Sequence, residues 1–246
     1  MPRFLTFALV APLAAFGGVA VGERRSGWDR PARSAVLGLV AACLGLERAD
    51  TEAQAALTEG YGLALRCYAP GRLLADYHTA QVPPTRRGRR FATRAEELAA
   101  EDLATVLSRR DYRSGAWHLG ALWARDSAPR WPLEALAEAM RRPAFVPYLG
   151  RKACPLGLPL APEVAEEPDV LAALQARHTR GPEAMWREVF ADAPGEAFVT
   201  LDAADAAAVL PPAAQRDRVE VRRDEPLSRV RWQFGLREEL VVGVSA

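Results

Sequence analysis

Short apolar runs along the chain predict strands, because their length and β-branched or aromatic content are typical of a sheet. The run over residues 3–11 is apolar at both odd and even positions, which predicts a strand covered on both faces. Similar runs predict further strands over residues 61–68, 116–124 and 145–149.

Two segments between these runs have the spacing of an amphipathic helix. Residues 31–45 begin with Pro31 and end with Gly45, which are favoured at the first turn and at the C-terminal cap. Residues 131–142 form the second helix, with a stripe of large apolar side chains on one face. The resulting order, β-α-β, an insertion and β-α-β, predicts an α+β fold with a ferredoxin-like, RNA-recognition-motif-type βαββαβ core.

The insertion between the two halves of this core is irregular and rich in arginine. Five arginines fall between Arg86 and Arg94, and a second cluster follows at Arg109, Arg110 and Arg113. We therefore expect a long hairpin or mobile arm, a thumb over about residues 76–114, that projects from the core.

The last third of the chain predicts a smaller, β-rich α/β extension. Helices are expected over 168–178 and 182–190, and short strands over 196–202 and 218–223. Val230, Trp232 and Phe234 alternate with polar residues in 229–234, which predicts another strand, closed by residues 239–244. We expect residues 1–160 to form the core domain with its thumb, and residues 161–246 to pack on it.

The bulk composition restricts the class of protein without defining it. The net charge is +1 over 246 residues, so nucleic-acid binding would depend on local clusters of arginine. The three cysteines are isolated, which indicates reduced thiols in a cytoplasmic protein with no metal or other cofactor. The apolar N-terminus resembles a signal peptide, but Pro12 and the charged residues 23–25 argue against one, and no run is long enough to span a membrane.

The most informative segment is the break after the apolar run that ends at Leu149. Gly150 is followed by Arg151 and by Lys152, the only lysine of the chain. Cations and free backbone N–H groups beside a sheet edge are suited to a polyanion such as an RNA backbone. The alternative is a β-turn with two solvated cations.

Five segments, in this order, resemble one known family. They are residues 12–17, 31–45, 76–81, 148–155 and 222–226. Together they resemble the CasD family of type I-E CRISPR Cascade, and the resemblance covers almost the whole chain. It implies a non-catalytic RNA-binding subunit that caps the 5′ handle of the CRISPR RNA (crRNA). It also implies contacts with the backbone subunit and with the large subunit that reads the PAM, so target DNA would be met only through the complex.

This resemblance makes several side chains candidates for RNA contact. Arginine is suited to bidentate phosphate contacts, aromatic rings stack on splayed bases, and polar side chains contact base edges or 2′-hydroxyls. The phosphate candidates are Arg24, Arg25, Arg33, Arg86, Arg87, Arg89, Arg90, Arg109, Arg110, Arg151 and Lys152, with Ser34 at the start of the 31–45 helix. The stacking candidates are Trp28, Tyr77, Phe91 and Tyr112, and the edge-reading candidates are His78, Thr79 and Gln81.

Two other functions remain open at this point. One is a metal-independent endoribonuclease that processes precursor crRNA, for which Tyr112, His118 and Lys152 are the candidate acid–base groups. The other is a protein scaffold with only passive RNA contact. His118 lies within an apolar strand, which favours a packed histidine, and Trp117, Trp123 and Trp232 are expected in the core.

Overall fold

The computed structural model describes residues 1–18, 22–85 and 90–244. The strands are β1 Arg3–Ala14, β2 Arg24–Arg25, β3 Tyr61–Ala69, β4 Arg72–Val82, β5 Ala104–Ala124, β6 Glu163–Glu166, β7 Phe198–Asp202, β8 Arg216–Ser228 and β9 Gln233–Gly243. The helices are α1 Arg33–Cys43, α2 Thr51–Gly60, α3 Arg94–Leu98, α4 Leu133–Arg141, α5 Val170–Arg180, α6 Arg187–Phe190 and α7 Ala206–Val209. Within these residues, no helix has the length and hydropathy of a membrane span.

In the described part of the chain, the strands form one nine-stranded sheet in the order β6-β1-β5-β3-β7-β9-β8. Neighbours along this path are antiparallel. β2 and β4 pair with β5 outside the path. The last third of the chain continues the same sheet, since β6 pairs with β1 and β7 pairs with β3. The mixed α/β class expected from the sequence is confirmed.

β1 is apolar on both faces because each face lies in a separate core. Leu5 and Phe7 pack in a cluster with α1 and α4, whereas Phe4 and Val10 pack in a second cluster with α5. All four side chains are fully buried. Burial of one such side chain stabilises the fold by about 1.5–3 kcal/mol, so this strand is a main source of cohesion between the helices and the sheet.

β5 belongs both to the core and to a projecting hairpin. Residues 117–122 lie between β1 and β3, while residues 104–114 pair with β4 from Val82 to Arg72. The two parts meet at Gly115, which has a φ of 67°. A Cβ atom there would lie 2.4 Å from the Cβ of Asp192, so glycine is required on both grounds. The hairpin expected from the sequence is thus built by β4 and the first part of β5.

Several expected elements differ from the structure. Residues 145–149 do not form a strand; Tyr148 makes an isolated bridge to Pro155, and β6 lies beside β1. Pro147 lacks the N–H that a ladder requires. The strand expected over 229–234 is wrong in its first four residues, because residues 229–232 form the turn between β8 and β9. Residues 239–243 are part of β9 itself.

Candidate nucleic-acid interface

Two pairs of arginines lie where β2 meets β5, one pair toward each face of the sheet. The two strands are parallel here, with Arg24 opposite Arg109 and Arg25 opposite Arg110. Arg24 and Arg109 are exposed, and Arg25 and Arg110 are half-buried. Like charges opposite each other in a sheet are destabilising unless an anion lies between them. We refer to these four residues as the arginine ribbon.

The carboxylate of Asp111 lies beside one of the two pairs, Arg24 and Arg109. Asp111 is 4% exposed. Its oxygens lie 3.9 Å from Nη2 of Arg24 and 3.5 Å from Nε of Arg109. These distances are those of loose ion pairs, so Asp111 orients the two guanidinium groups from below and leaves their outer faces to solvent. The sequence analysis did not single out Asp111, because its burial depends on the pairing of two strands that are distant in sequence.

The Gly150 turn brings Arg151 into contact with β5 next to the ribbon. The amide of Ala15, at the end of β1, donates to the carbonyl of Leu149 at 3.0 Å, which fixes the start of the turn. Arg151 then extends over the ring of Tyr112, 4.4 Å from its centroid, and its Nη1 donates to the carbonyl of Asp111 at 3.3 Å. Lys152 is exposed. The structure therefore brings Arg151 and Tyr112, two candidates from the sequence, into contact.

β4 forms the other side of this surface. Tyr77 is paired with Arg109 across the β4–β5 ladder and is 65% exposed. Thr79 and Gln81 follow at alternate positions and are also exposed, so all three lie on one face of the hairpin. His78 is half-buried, and its Nδ1 lies 2.8 Å from a carboxylate oxygen of Asp76.

The far end of the arm is only partly described. Arg86, Arg87 and Arg89 lie outside the described residues. Arg90 is exposed, Phe91 is half-buried, and the two precede helix α3. The guanidinium of Arg94 in α3 donates to the carbonyl of Gln81, which connects α3 to the end of β4.

Arg33 and Ser34 do not belong to this surface. Arg33 is 2% exposed, and its Nη2 donates to the carbonyls of Thr58 at 2.7 Å and Tyr61 at 3.0 Å. The first amide of α1, that of Arg33, donates to Asp224 at 2.9 Å. A carboxylate therefore already occupies the helix N-terminus at which the sequence predicted a phosphate. We remove Arg33 and Ser34 from the candidate interface for this reason.

Trp28 lies at the edge of the ribbon, three residues after Arg25. The indole is 38% exposed, and the guanidinium of Arg222 lies 4.5 Å from its ring centroid. Nε of Arg113 donates to the carbonyl of Trp28 at 3.1 Å. The sequence analysis placed neither Arg113 nor Arg222 among the candidates, although Arg113 belongs to the same arginine cluster as Arg109 and Arg110.

The candidate acid–base groups of a nuclease do not form an accessible site. His118 is fully buried, with its ring edge-on to Phe16 at 5.3 Å. Burial lowers the pKa of His118 to about 3. The imidazole is therefore neutral and closed off from any RNA at the surface. Among the described residues there is also no cluster of three or more side chains arranged to hold a metal ion.

The described residues combine a mostly antiparallel nine-stranded sheet with an arginine-bearing hairpin and a cationic glycine turn. Sequence comparison identifies the class of protein. Residues 4–238 match the family model described as "CRISPR-associated protein (Cas_Cas5)". The chain belongs to this Cas5 family.

The chain is also similar to one curated protein and to two solved structures. Over 168 residues the chain is 32% identical to the CRISPR system Cascade subunit CasD of Escherichia coli (strain K12). The aligned region covers 65% of this chain and 70% of that protein. A solved structure described as a CRISPR RNA-guided surveillance complex matches with a TM-score of 0.62 at 22% identity, over 98% of this chain and 90% of the other. A crystal structure of a Cas protein matches with a TM-score of 0.55 at 21% identity, over 98% and 95%. These two matches establish the shared fold.

Proposed function

We propose that this chain is the CasD-type subunit of a type I-E Cascade complex and that it binds the 5′ handle of the crRNA through the arginine ribbon. The observation that carries this proposal is the register of Arg24 with Arg109 and of Arg25 with Arg110. Each register pair places two guanidinium groups opposite each other, and only Arg24 and Arg109 share the buried carboxylate of Asp111, so a polyanion would relieve the repulsion that remains. Membership of the Cas5 family and the similarity to a Cascade subunit support guide RNA as that polyanion.

The groups around the ribbon support single-stranded RNA as the ligand. Arg151 and Lys152 are further candidate phosphate contacts, and Tyr77 presents an exposed ring beside Arg109, while the Tyr112 ring supports Arg151. Thr79 and Gln81 are exposed polar groups that suit base edges or 2′-hydroxyls. Arg86, Arg87, Arg89, Arg90 and Phe91 extend this proposal to the end of the arm.

The proposal includes a ferredoxin-like core. The order β6-β1-β5-β3 is that of the split βαβ fold, with α1 between β1 and β3, and α4 between β5 and β6. Both helices pack in the same cluster under the sheet. On this assignment β6 is the fourth strand, so the core domain extends to about residue 166 and the rest forms the C-terminal extension.

We also propose that the chain acts in the cytoplasm without catalysis, and that it contacts the backbone subunit and the large subunit. The outer face of β8 and β9 leaves Val219, Val221 and Leu236 more than half exposed, which is typical of a subunit that is covered in an assembly. The burial of His118 supports a non-catalytic role, because a metal-independent nuclease needs an accessible base.

Binding to guide RNA with and without its 5′ handle, measured across a salt series in EDTA, tests this function. Each phosphate contact with single-stranded RNA contributes about 0.7 to the slope of log K against log salt, so we expect a slope of about 3 or more that depends on the handle. Exchange of Arg24 and Arg109 for glutamine should lower the slope by about 1.4. The matched control is Arg142→Gln, an exposed arginine at the end of α4.

Three results would contradict the proposal. Equal binding with and without the handle would favour the scaffold. An unchanged slope in the double variant would remove the ribbon from the interface. Cleaved RNA on a denaturing gel would make the protein a processing enzyme.

A further inference from the structure

The turn between β8 and β9 carries an exposed tryptophan in a strained backbone conformation. Trp232 has a φ of 52°, which lies in the left-handed region that bulky side chains rarely adopt. Its indole is nevertheless 56% exposed, so burial of the ring does little to offset the strain. A strained residue that the core does not use is a candidate for a functional role.

Contacts with α1 and with the loop that follows it hold this turn in place. Nη2 of Arg229 donates to the carbonyl of Ser34 in α1 at 2.8 Å. The guanidinium of Arg48, in the loop between α1 and α2, lies 4.2 Å from the centroid of the Trp232 ring. The tryptophan is therefore presented in a fixed position, and a preorganised side chain loses little conformational freedom when a partner binds it.

Apolar side chains continue from Trp232 into β9. The ring of Phe234 lies 6.1 Å from the indole, and Leu236 follows at the next position on the same face of the strand. Leu236 is 63% exposed, and Val230 in the turn is 57% exposed. We refer to Val230, Trp232, Phe234 and Leu236 as the β8–β9 tip. Exposed aliphatic side chains next to aromatic rings favour contact with a protein over contact with a nucleic acid.

Three exposed arginines surround the β8–β9 tip, namely Arg48, Arg223 and Arg231. Arg48 lies against the indole, and Arg231 directly precedes it in the chain. Nη1 of Arg223 donates to the carbonyl of Phe234 at 3.5 Å. Within the described residues, none of the three forms an ion pair, and the exposed Glu47 and Glu238, which are close in sequence, pair with none of them.

The other acidic residues near these arginines do not neutralise the tip. Asp224 and Glu225, which follow Arg223 in the chain, are paired with buried arginines. At the turn itself, burial and the positive charge of Arg48 lower the pKa of Arg229, and no carboxylate counteracts them. The tip is therefore an apolar surface in a positive field. The surface that complements it has an apolar centre and carboxylates at its rim.

We propose that the β8–β9 tip is the docking site for one protein subunit of the same complex, whose contact surface has an apolar centre rimmed by aspartate or glutamate. This inference rests on the proposed function, because it requires that the chain belongs to a multisubunit complex. It adds a defined site and a partner chemistry to that function. Tryptophan and arginine carry much of the binding energy at protein interfaces, so Trp232 and Arg231 should form the centre of the contact.

The test is co-expression of the tagged full-length chain with crRNA and the other subunits of its complex, followed by native mass spectrometry of the purified assembly. Trp232→Ala and Arg231→Glu should each lower the occupancy of one protein subunit by about tenfold, with the amount of crRNA per chain unchanged. Both side chains are exposed, so the variants should fold. Arg142→Glu, at an exposed arginine after α4, is the matched control and should keep full occupancy.

A photo-cross-linking residue then identifies the partner surface. With p-benzoylphenylalanine in place of Trp232, irradiation of the assembled complex should join this position to a protein subunit, at a peptide with apolar residues flanked by aspartate or glutamate. Cross-links to crRNA, or none to a protein, would overturn the inference. Full occupancy of every subunit in both variants would also overturn it, as would loss of crRNA together with the subunit. A wild-type chain that retains neither crRNA nor any other subunit would instead contradict the proposed function.

Discussion

Gly150 packs directly on the carbonyl oxygen of Ala15, so closely that a Cβ atom at residue 150 would lie 1.8 Å from that oxygen. The φ of Gly150 is 92°, a conformation that L side chains rarely adopt. Two separate constraints therefore require glycine at this position. The same contact places Arg151 above the ring of Tyr112, so the fold of the turn and the candidate interface depend on one residue.

We expect Gly150→Ala to lower the free energy of unfolding by about 2 kcal/mol or more, because both the φ and the contact with Ala15 become unfavourable. RNA affinity should also fall, since Arg151 is displaced. Urea denaturation and RNA binding measure the two effects. Gly195→Ala is the control, because a Cβ atom there meets nothing within 4 Å and no positive φ is involved. Wild-type values for both quantities in Gly150→Ala would show that the turn does not hold Arg151 in place.

Substitution of a structural arginine and of an RNA-binding arginine should have different effects on stability and on RNA binding. Arg33→Met removes the Nη2 donor of the Thr58 and Tyr61 carbonyls and leaves Thr58 with only the long bond from Arg125, so it should destabilise the protein by about 2–4 kcal/mol. The salt slope of RNA binding should not change below the unfolding transition. Arg24→Gln should have the reverse effect, a lower slope with stability unchanged within about 0.5 kcal/mol. A reduced slope in Arg33→Met would return Arg33 to the interface.

Arg33 also shows why the site was only partly predictable. The periodicity of residues 31–45 predicts α1 well, because a helix is a local structure and its apolar stripe is visible in the sequence. The partners of Arg33 and of the helix N-terminus are not local: Asp224 and Glu225 belong to β8, about 190 residues later. Arg24 and Arg33 have the same side chain, and only the tertiary fold separates an exposed cation from a buried one.

The same limit applies to the strands. The runs that become β1, β3 and the core part of β5 are long and apolar, and they were predicted. The short β6 and the two-residue β2 carry no periodic signal and were missed. β2 is the strand that creates the arginine ribbon, so its register with β5 became apparent only in the structure. Residues 145–149 show the opposite error, since apolar content predicted a strand that Pro147 prevents.

Trp117 and Trp232 should respond very differently to truncation. Both were expected in the core, but Trp117 is fully buried and Trp232 is 56% exposed, at a φ of 52° in the turn between β8 and β9. Trp117→Ala should therefore cost about 3–5 kcal/mol. Trp232→Ala loses mainly the stacking with Arg48, at 4.2 Å, and should cost about 1 kcal/mol or less. Equal losses in urea denaturation would show that the turn packs into a core.

The buried His118 makes stability depend on pH. Burial lowers its pKa from 6.5 to about 3. The unfolded chain therefore binds a proton below pH 6.5 that the folded chain excludes. The stabilisation is complete above pH 6.5 and is lost as the pH falls toward 3, by about 1.4 kcal/mol per pH unit. His178, which is also buried and has its pKa lowered to about 4, acts in the same direction.

The substitution His118→Phe should remove the part of the pH dependence of stability that His118 causes. Both ring nitrogens of His118 lack a hydrogen-bond partner among the described residues, so an apolar ring loses no hydrogen bond and should change stability at pH 7.5 by less than about 1.5 kcal/mol. Between pH 6 and pH 4, the variant should lose less stability than the wild type, by about 1.4 kcal/mol per pH unit. Urea unfolding at four pH values measures this difference, with His78→Asn, at the half-buried histidine of the β4–β5 hairpin, as the control. Parallel curves for wild type and His118→Phe would mean that His118 has the same pKa in the folded and unfolded chains, and such a solvent-accessible histidine would again be a candidate catalytic base.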